Sequence, residues 1–183
     1  MNQSEVTPKN IVLIGFMGSG KSTVGRQLHQ RLGYPLSDMD QLIEQTIGKK
    51  ITAIFKEEGE SAFRDFETLK LLEIAKQTDT RHIISTGGGI VIRPQNRSLL
   101  RKLGYVVWLH APEDVIYQRT SRNRDRPLLN QENARERIAS LMEERNPWYE
   151  ETAHLKIDTA GLDSNEIATG ILESARYFFT QPA

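Results

Sequence analysis

The chain contains no cysteine, which excludes a disulfide framework, a thiolate metal cluster and a thiol nucleophile, and fits a reducing compartment. It has no excess of either charge, because 24 Lys and Arg balance 24 Asp and Glu. Nothing in that balance draws it toward nucleic acid or an anionic membrane, so any anion site must be local. Long apolar runs are missing too. Met1 to Asn10 is polar, and the stretch that follows, Ile11 to Ile14, is far too short for a signal-peptide core or a membrane span. These absences lead us to expect a soluble, cytoplasmic protein with neither a nucleic-acid nor a membrane partner.

What is present suits one compact core, since 183 residues are enough for one sizeable domain and few for two. Short β-branched runs alternate with amphipathic stretches, the pattern of βαβ units on a parallel sheet. Strands are expected at Asn10 to Ile14, Pro35 to Ser37, His82 to Ser85, Tyr105 to Leu109 and Leu155 to Asp158. Helices are expected at Lys21 to Leu32, Arg97 to Leu103, Pro112 to Arg122, Arg135 to Trp148 and Ser164 to Phe179. A longer helix is expected to bury Phe63, Phe66, Leu69, Leu72 and Ile74 on one face.

Gly15-Phe16-Met17-Gly18-Ser19-Gly20-Lys21-Ser22 satisfies G-x-x-x-x-G-K-[ST] and lies between a strand and a helix. In that setting the glycines let successive N–H groups face phosphate oxygens, and the helix adds the positive end of its dipole. Lys21 would reach the β and γ phosphates of ATP, and the Ser22 hydroxyl would ligate Mg²⁺, which prefers hard oxygen donors. No Asn-Lys-x-Asp guanine reader is present.

Three further clusters bear on what receives the phosphoryl group. Thr86-Gly87-Gly88-Gly89 closes the third strand, at the sheet edge where ligands bind, although a plain flexible loop would read the same. Asp38 and Asp40 follow the second strand, and residues two apart on an extended stretch face the same way. One could act on the metal through water while the other accepts a hydroxyl proton; alternatively, Asp38 caps a helix starting near Asp40. Arg119, Arg122, Arg124 and Arg126 crowd one segment, as a lid over phosphates requires, or as a solvated helix end would show. Arg64 and Arg145 stand in more apolar company and suit either a carboxylate ligand or structural ion pairs to Glu60, Glu67 or Glu144.

Together these segments resemble shikimate kinase, a small P-loop enzyme family that phosphorylates the 3-hydroxyl of shikimate in aromatic amino-acid biosynthesis. The resemblance rests on Gly-Phe-Met-Gly-Ser-Gly-Lys-Ser-Thr at 15–23, Asp-Met-Asp at 38–40, Ile-Phe-Lys-Glu-Glu-Gly-Glu-Ser-Ala-Phe-Arg at 54–64, Thr-Gly-Gly-Gly at 86–89, Arg-Pro-Leu-Leu at 126–129 and Arg-Asn-Pro-Trp-Tyr at 145–149. It implies an α/β fold, a three-layer α/β/α P-loop kinase of the nucleoside monophosphate kinase type with a five-stranded parallel sheet. The kinase domain would span 10–180 after a disordered tail at 1–9, with a substrate-binding helical region near 39–66 and a mobile lid near 119–131.

The resemblance also implies residue roles. Asp40, Arg64, Gly88 and Arg145 match shikimate-binding positions; the arginines would hold the carboxylate, and Asp40 would hold hydroxyls and act as base. Gly18, Ser19, Gly20, Lys21, Ser22 and Thr23 match the ATP-binding loop, Arg126 the lid arginine on ATP phosphates, and Arg119 a residue packing on adenine beside the stretch after Asp158 and Thr159. Lys21, Asp40 and Arg126 would be the catalytic set, with Mg²⁺ held by Ser22 and, through water, Asp38. Met39 departs from the family, which more often has Thr or Ser there, and a lost hydroxyl would bear on water near the metal. A monomer is implied. Gluconate kinase of the same fold and a non-catalytic nucleotide switch are the alternatives; Arg64, Gly88 and Arg145 argue against the first, and Lys21, Asp40 and Arg126 against the second.

Overall fold

Side chains along the central strands alternate between two cores, which divides the molecule into three layers. In the computed structural model, residues 10–77, 80–121 and 133–180 are described. On β1 (Asn10–Ile14), Ile11 and Leu13 face one core while Val12 and Ile14 face another, as a period of two dictates. β4 (Gly104–His110) repeats this, with Tyr105, Val107 and Leu109 on the first side and Val106 and Trp108 on the second. Strands buried on both faces read as continuous apolar runs, and parallel sheets are built from them.

The first face is covered by α1 (Lys21–Leu32) and α8 (Ser164–Thr180), through Val24, Leu28, Ile167 and Ile171. The second is covered by α2 (Met39–Ile47), α4 (Gly59–Ala75), α5 (Pro94–Leu103) and α7 (Ala134–Thr152), through Met39, Leu71, Leu100 and Tyr149. Each fully buried aliphatic side chain among these contributes about 1.5–3 kcal/mol. The remaining strands are β2 (Leu36–Asp38), β3 (Ile83–Ser85) and β5 (Leu155–Asp158), and the remaining helices α3 (Ile51–Glu57) and α6 (Glu113–Ser121).

All strand pairings are parallel, in the order β2-β3-β1-β4-β5. The segments that follow β1, β2, β3 and β5 therefore leave from the same edge, the carboxyl edge where α/β folds bind ligands. No described helix is long and apolar enough to cross a membrane. The expected tail, 1–9, lies outside the described residues.

Several expectations need correction. α4 buries Phe63, Arg64, Glu67, Thr68, Leu71 and Ile74, whereas Leu69 and Leu72 are exposed. The inward stripe of this helix mixes core residues with charged ones that face a cavity, so hydrophobicity alone misplaces its face. α7 runs past Pro147 to Thr152, because Tyr149 and Thr152 are buried beyond the proline. Helices α2 and α3 lie where residue periodicity alone assigned no element. At the end of α8, Tyr177 is exposed while Phe178 and Phe179 pack on Tyr105.

Candidate active site

The loop from β1 to α1 is shaped by Gly18 and Gly20, whose φ angles of 78° and 98° are left-handed backbone that a side chain disfavours. Gly20 is the N-cap of α1 and supplies no side-chain cap. The first N–H groups of the helix are thus left to an anion. Lys21, the first residue of α1, is buried, and its Nζ donates to the carbonyls of Gly15 at 2.7 Å and Phe16 at 2.9 Å. This folds the ammonium over the loop.

Asp38 ends β2 and caps α2, its Oδ1 accepting from the N–H groups of Asp40 at 3.1 Å and Gln41 at 3.3 Å. Its Oδ2 accepts from Ser22 Oγ at 3.3 Å. The capping and metal-side readings are therefore not exclusive, since each uses a different oxygen. Asp38 and Asp40 do not share an extended stretch as expected, because Asp40 already lies in the first turn of α2; the turn nevertheless leaves both lining one cavity. Met39, between them, is fully buried in the core, so its missing hydroxyl concerns packing.

The glycine triplet after β3 is explained by crowding. A Cβ on Gly87 would lie 2.9 Å from Asp40 Oδ1 and 3.0 Å from Glu67 Oε1, and one on Gly89 would overlap the Arg64 guanidinium. The loop thus lies directly against the charged groups of α2 and α4, and the reading of it as a mere flexible connector is set aside.

Arg64 is buried on α4 and held on two sides. Nη1 donates to Glu67 Oε2 at 2.8 Å, and Nη2 and Nε donate to Glu60 Oε1 at 2.7 and 3.2 Å. Its guanidinium also lies over the rings of Phe63 and Phe55, 5.3 and 6.0 Å from their centroids. Glu67 has no exposed surface. Burial pushes its carboxyl up to about 7, against the pull of Arg64 and with a further upward push from Asp40.

Arg145 projects from α7, buried, with its guanidinium 5.8 Å from the ring centroid of Phe16 in the phosphate loop. Its Nε has no hydrogen-bond acceptor among the described residues. At the far end of the cavity Arg119 Nη1 donates to the Gly18 carbonyl at 3.3 Å and to Thr159 Oγ1 at 3.2 Å. Arg119 and Thr159 thus stand together beside the phosphate loop, as expected. Arg122, Arg124 and Arg126 lie outside the described residues, and with them nearly all of the expected lid.

One cavity of about 1500 Å³ joins these groups, lined by residues 17–24 of the phosphate loop and α1, Asp38, Asp40, Arg64, Gly87 to Gly89, Arg119, Arg145 and Thr159. Apart from Arg126, every expected site residue is on its wall. The family model described as "Shikimate kinase" matches residues 17–176. The chain belongs to the shikimate kinase family.

A shikimate kinase from Thermodesulfovibrio yellowstonii is 45% identical over 90% of this chain and 94% of its own length. The solved structure "Shikimate kinase from Acinetobacter baumannii in complex with shikimate" superposes with a TM-score of 0.89 at 37% identity, covering 98% of this chain and 99% of that one. A gluconokinase from Sinorhizobium meliloti shares only the fold, with a TM-score of 0.52 at 18% identity over 96% of this chain and 99% of its own. Family membership makes this protein an ATP-using kinase.

Two members of the charged cluster escaped assignment from sequence except as ion-pair partners, Glu60 and Glu67. Glu67 left a signal. It stands four residues after Phe63 and four before Leu71, on the stripe that helical spacing buries. A carboxylate on such a stripe needs a partner.

Proposed function

We propose that this chain transfers the γ-phosphoryl group of ATP to the 3-hydroxyl of shikimate, releasing ADP and shikimate 3-phosphate. The carrying observation is that the phosphate loop, Asp40 and two buried arginines, Arg64 and Arg145, line one cavity. A phosphate cradle beside a pair of guanidinium forks suits a nucleotide and a small carboxylate held side by side.

In this reading Gly18, Ser19, Gly20, Ser22 and Thr23 bind the ATP phosphates, Lys21 neutralises charge growing on the transferring group, and Arg119 with Thr159 borders the adenine. Arg64 and Arg145 hold the shikimate carboxylate while the Gly88 backbone packs against the ring. Asp40 binds hydroxyls and takes the proton of the attacking one as its oxygen bonds to phosphorus and the β,γ-bridging bond breaks. Ser22 and Asp38 fit Mg²⁺, because the Ser22 hydroxyl is a hard oxygen donor at the loop and the Asp38 carboxylate, 3.3 Å from it, would act on the ion through water. That ion would supply electrostatic stabilisation of the β and γ oxygens. Arg126 would close over the phosphates from a lid near 119–131, opposite a substrate-binding region near 39–66. We infer a monomer working in the cytoplasm; the lack of cysteine agrees with the compartment.

A coupled assay of ADP release with Mg-ATP and shikimate, quinate or gluconate tests the assignment. Release that depends on shikimate is expected. ADP formation no higher than the acceptor-free background, or a preference for gluconate, would overturn it.

A further inference from the structure

Tyr149 has no part in the roles assigned above, yet it touches two of the groups that carry them. It lies on α7 four residues after Arg145, so the two side chains leave the same face of the helix. The side chain is fully buried. Its ring stacks on Trp108 of β4, with centroids 5.7 Å apart and planes at 26°. The phenol is thereby fixed against the sheet and its oxygen has one place to be.

That oxygen faces both of those groups. The hydroxyl donates to the Gly88 carbonyl, and the Arg145 guanidinium, one turn earlier on α7, is close enough for its charge to act on it. A hydroxyl donates and accepts at once and a guanidinium only donates, so with its proton given to Gly88 the phenol oxygen keeps its lone pairs for Arg145. Burial also pushes the phenol's ionisation upward, which keeps the proton in place for donation. Because a peptide is planar and trans, fixing the Gly88 carbonyl fixes the Gly89 N–H antiparallel to it. Gly88 also abuts the phosphate loop, as a Cβ there would lie 3.2 Å from Met17 N.

We propose that Tyr149 is a positioning residue that sets Arg145 and the Gly88–Gly89 peptide in register with each other, and both with the phosphate loop, so that the acceptor's carboxylate meets an already ordered site. This rests on the reading that Arg145 holds that carboxylate while the Gly88 backbone packs against the ring. The phenol contributes order to groups that would otherwise be fixed only when the acceptor arrives.

The test compares wild type, Tyr149→Phe and Arg145→Ala, each assayed with shikimate and with its methyl ester, which lacks the carboxylate charge. Tyr149→Phe keeps the ring and removes the hydrogen bond to Gly88 together with the oxygen that faces Arg145. It is expected to raise KM for shikimate about tenfold, as loss of a buried polar group beside a charge does, with KM for ATP within about twofold of wild type. Its effect on the methyl ester should be several-fold smaller. If Tyr149→Phe leaves KM for shikimate unchanged while Arg145→Ala raises it, the role of Tyr149 is wrong and the site assignment stands. If Tyr149→Phe weakens ATP, acid and ester alike and lowers the melting temperature, Tyr149 is a packing residue and the proposal is overturned. If Arg145→Ala itself does not change KM for shikimate, the carboxylate site is misassigned and the proposal falls with it.

Discussion

Glu67 Oε2 accepts a hydrogen bond from Arg64 Nη1 at 2.8 Å, with both side chains withdrawn from solvent. The pair lies where the glycine triplet approaches α4, and Glu67 orients the guanidinium from behind. Burial without full compensation gives the acid its raised pKa, and that makes the pair a source of pH dependence.

The sign follows from proton linkage. Glu67 titrates near 4.5 when unfolded and at about 7 when folded. Between those values the folded state holds the extra proton, so the stabilisation present below 4.5 is lost progressively as pH rises through 7. The ligand-free protein is expected to lose up to a few kcal/mol over that window from this group, and Glu67→Gln should flatten that part of the profile. Urea unfolding at intervals from pH 4.5 to 8 measures it. An unaltered slope in the variant would assign the dependence elsewhere.

Glu60 competes for the groove that a substrate carboxylate needs. It occupies the Nη2 and Nε edge of Arg64, yet its side chain is 58% exposed, so the contact is weak enough to be displaced. Glu60→Gln should therefore lower KM for shikimate, by about twofold to fivefold, matching an exposed ion pair worth up to about 1 kcal/mol. A rise in KM would mean that Glu60 helps to place Arg64.

Asp38 separates two jobs by oxygen, and asparagine separates them by chemistry. Asn caps helices about as well as Asp but carries no charge for a cation. Asp38→Asn is expected to keep thermal stability within about 0.5 kcal/mol while raising the Mg²⁺ concentration that gives half-maximal rate. Loss of stability without a change in the Mg²⁺ requirement would leave Asp38 as a cap alone.

Gly89→Ala tests the crowding at the triplet. The added methyl would overlap the Arg64 guanidinium, and the side chain can yield only by leaving Glu67 or Glu60. KM for shikimate should rise tenfold or more, with KM for ATP little changed. Equal damage to both substrates would point to a general collapse of the loop.

The phosphate loop, the five strands and the helices with a clean apolar stripe were legible in the sequence, because their signals are local. A glycine pattern between a strand and a helix needs no distant partner to be interpreted, the buried strands β1, β3 and β4 are largely apolar, and β5 shows the alternation of a half-buried strand. α4 was only half legible. Its inward stripe carries Arg64, Glu67 and Thr68, so a scan for hydrophobic periodicity rotated the helix toward Leu69 and Leu72. Periodicity alone left 39–57 without an element for a related reason, although the resemblance implied a helical region there. α2 and α3 are short, and α2 takes its N-cap from Asp38, a residue that the sequence offered equally as a metal ligand.

The sequence by itself determined the chemistry available, a phosphate cradle with Lys21 and Ser22, acids at 38 and 40, and arginines at 64, 119 and 145, because residue type and short-range spacing specify donors, acceptors and charges. Only the tertiary structure decided which charges meet. Arg64 and Arg145 are 81 residues apart in the chain, and they line one cavity because α4 and α7 pack on the same face of the sheet. Their neighbours Glu67 and Tyr149 lie three and four residues further along the same helices, but it is the fold that buries them. Burial removes the water that would otherwise serve each of them, so each polar group must find its partner in whatever the fold brings alongside.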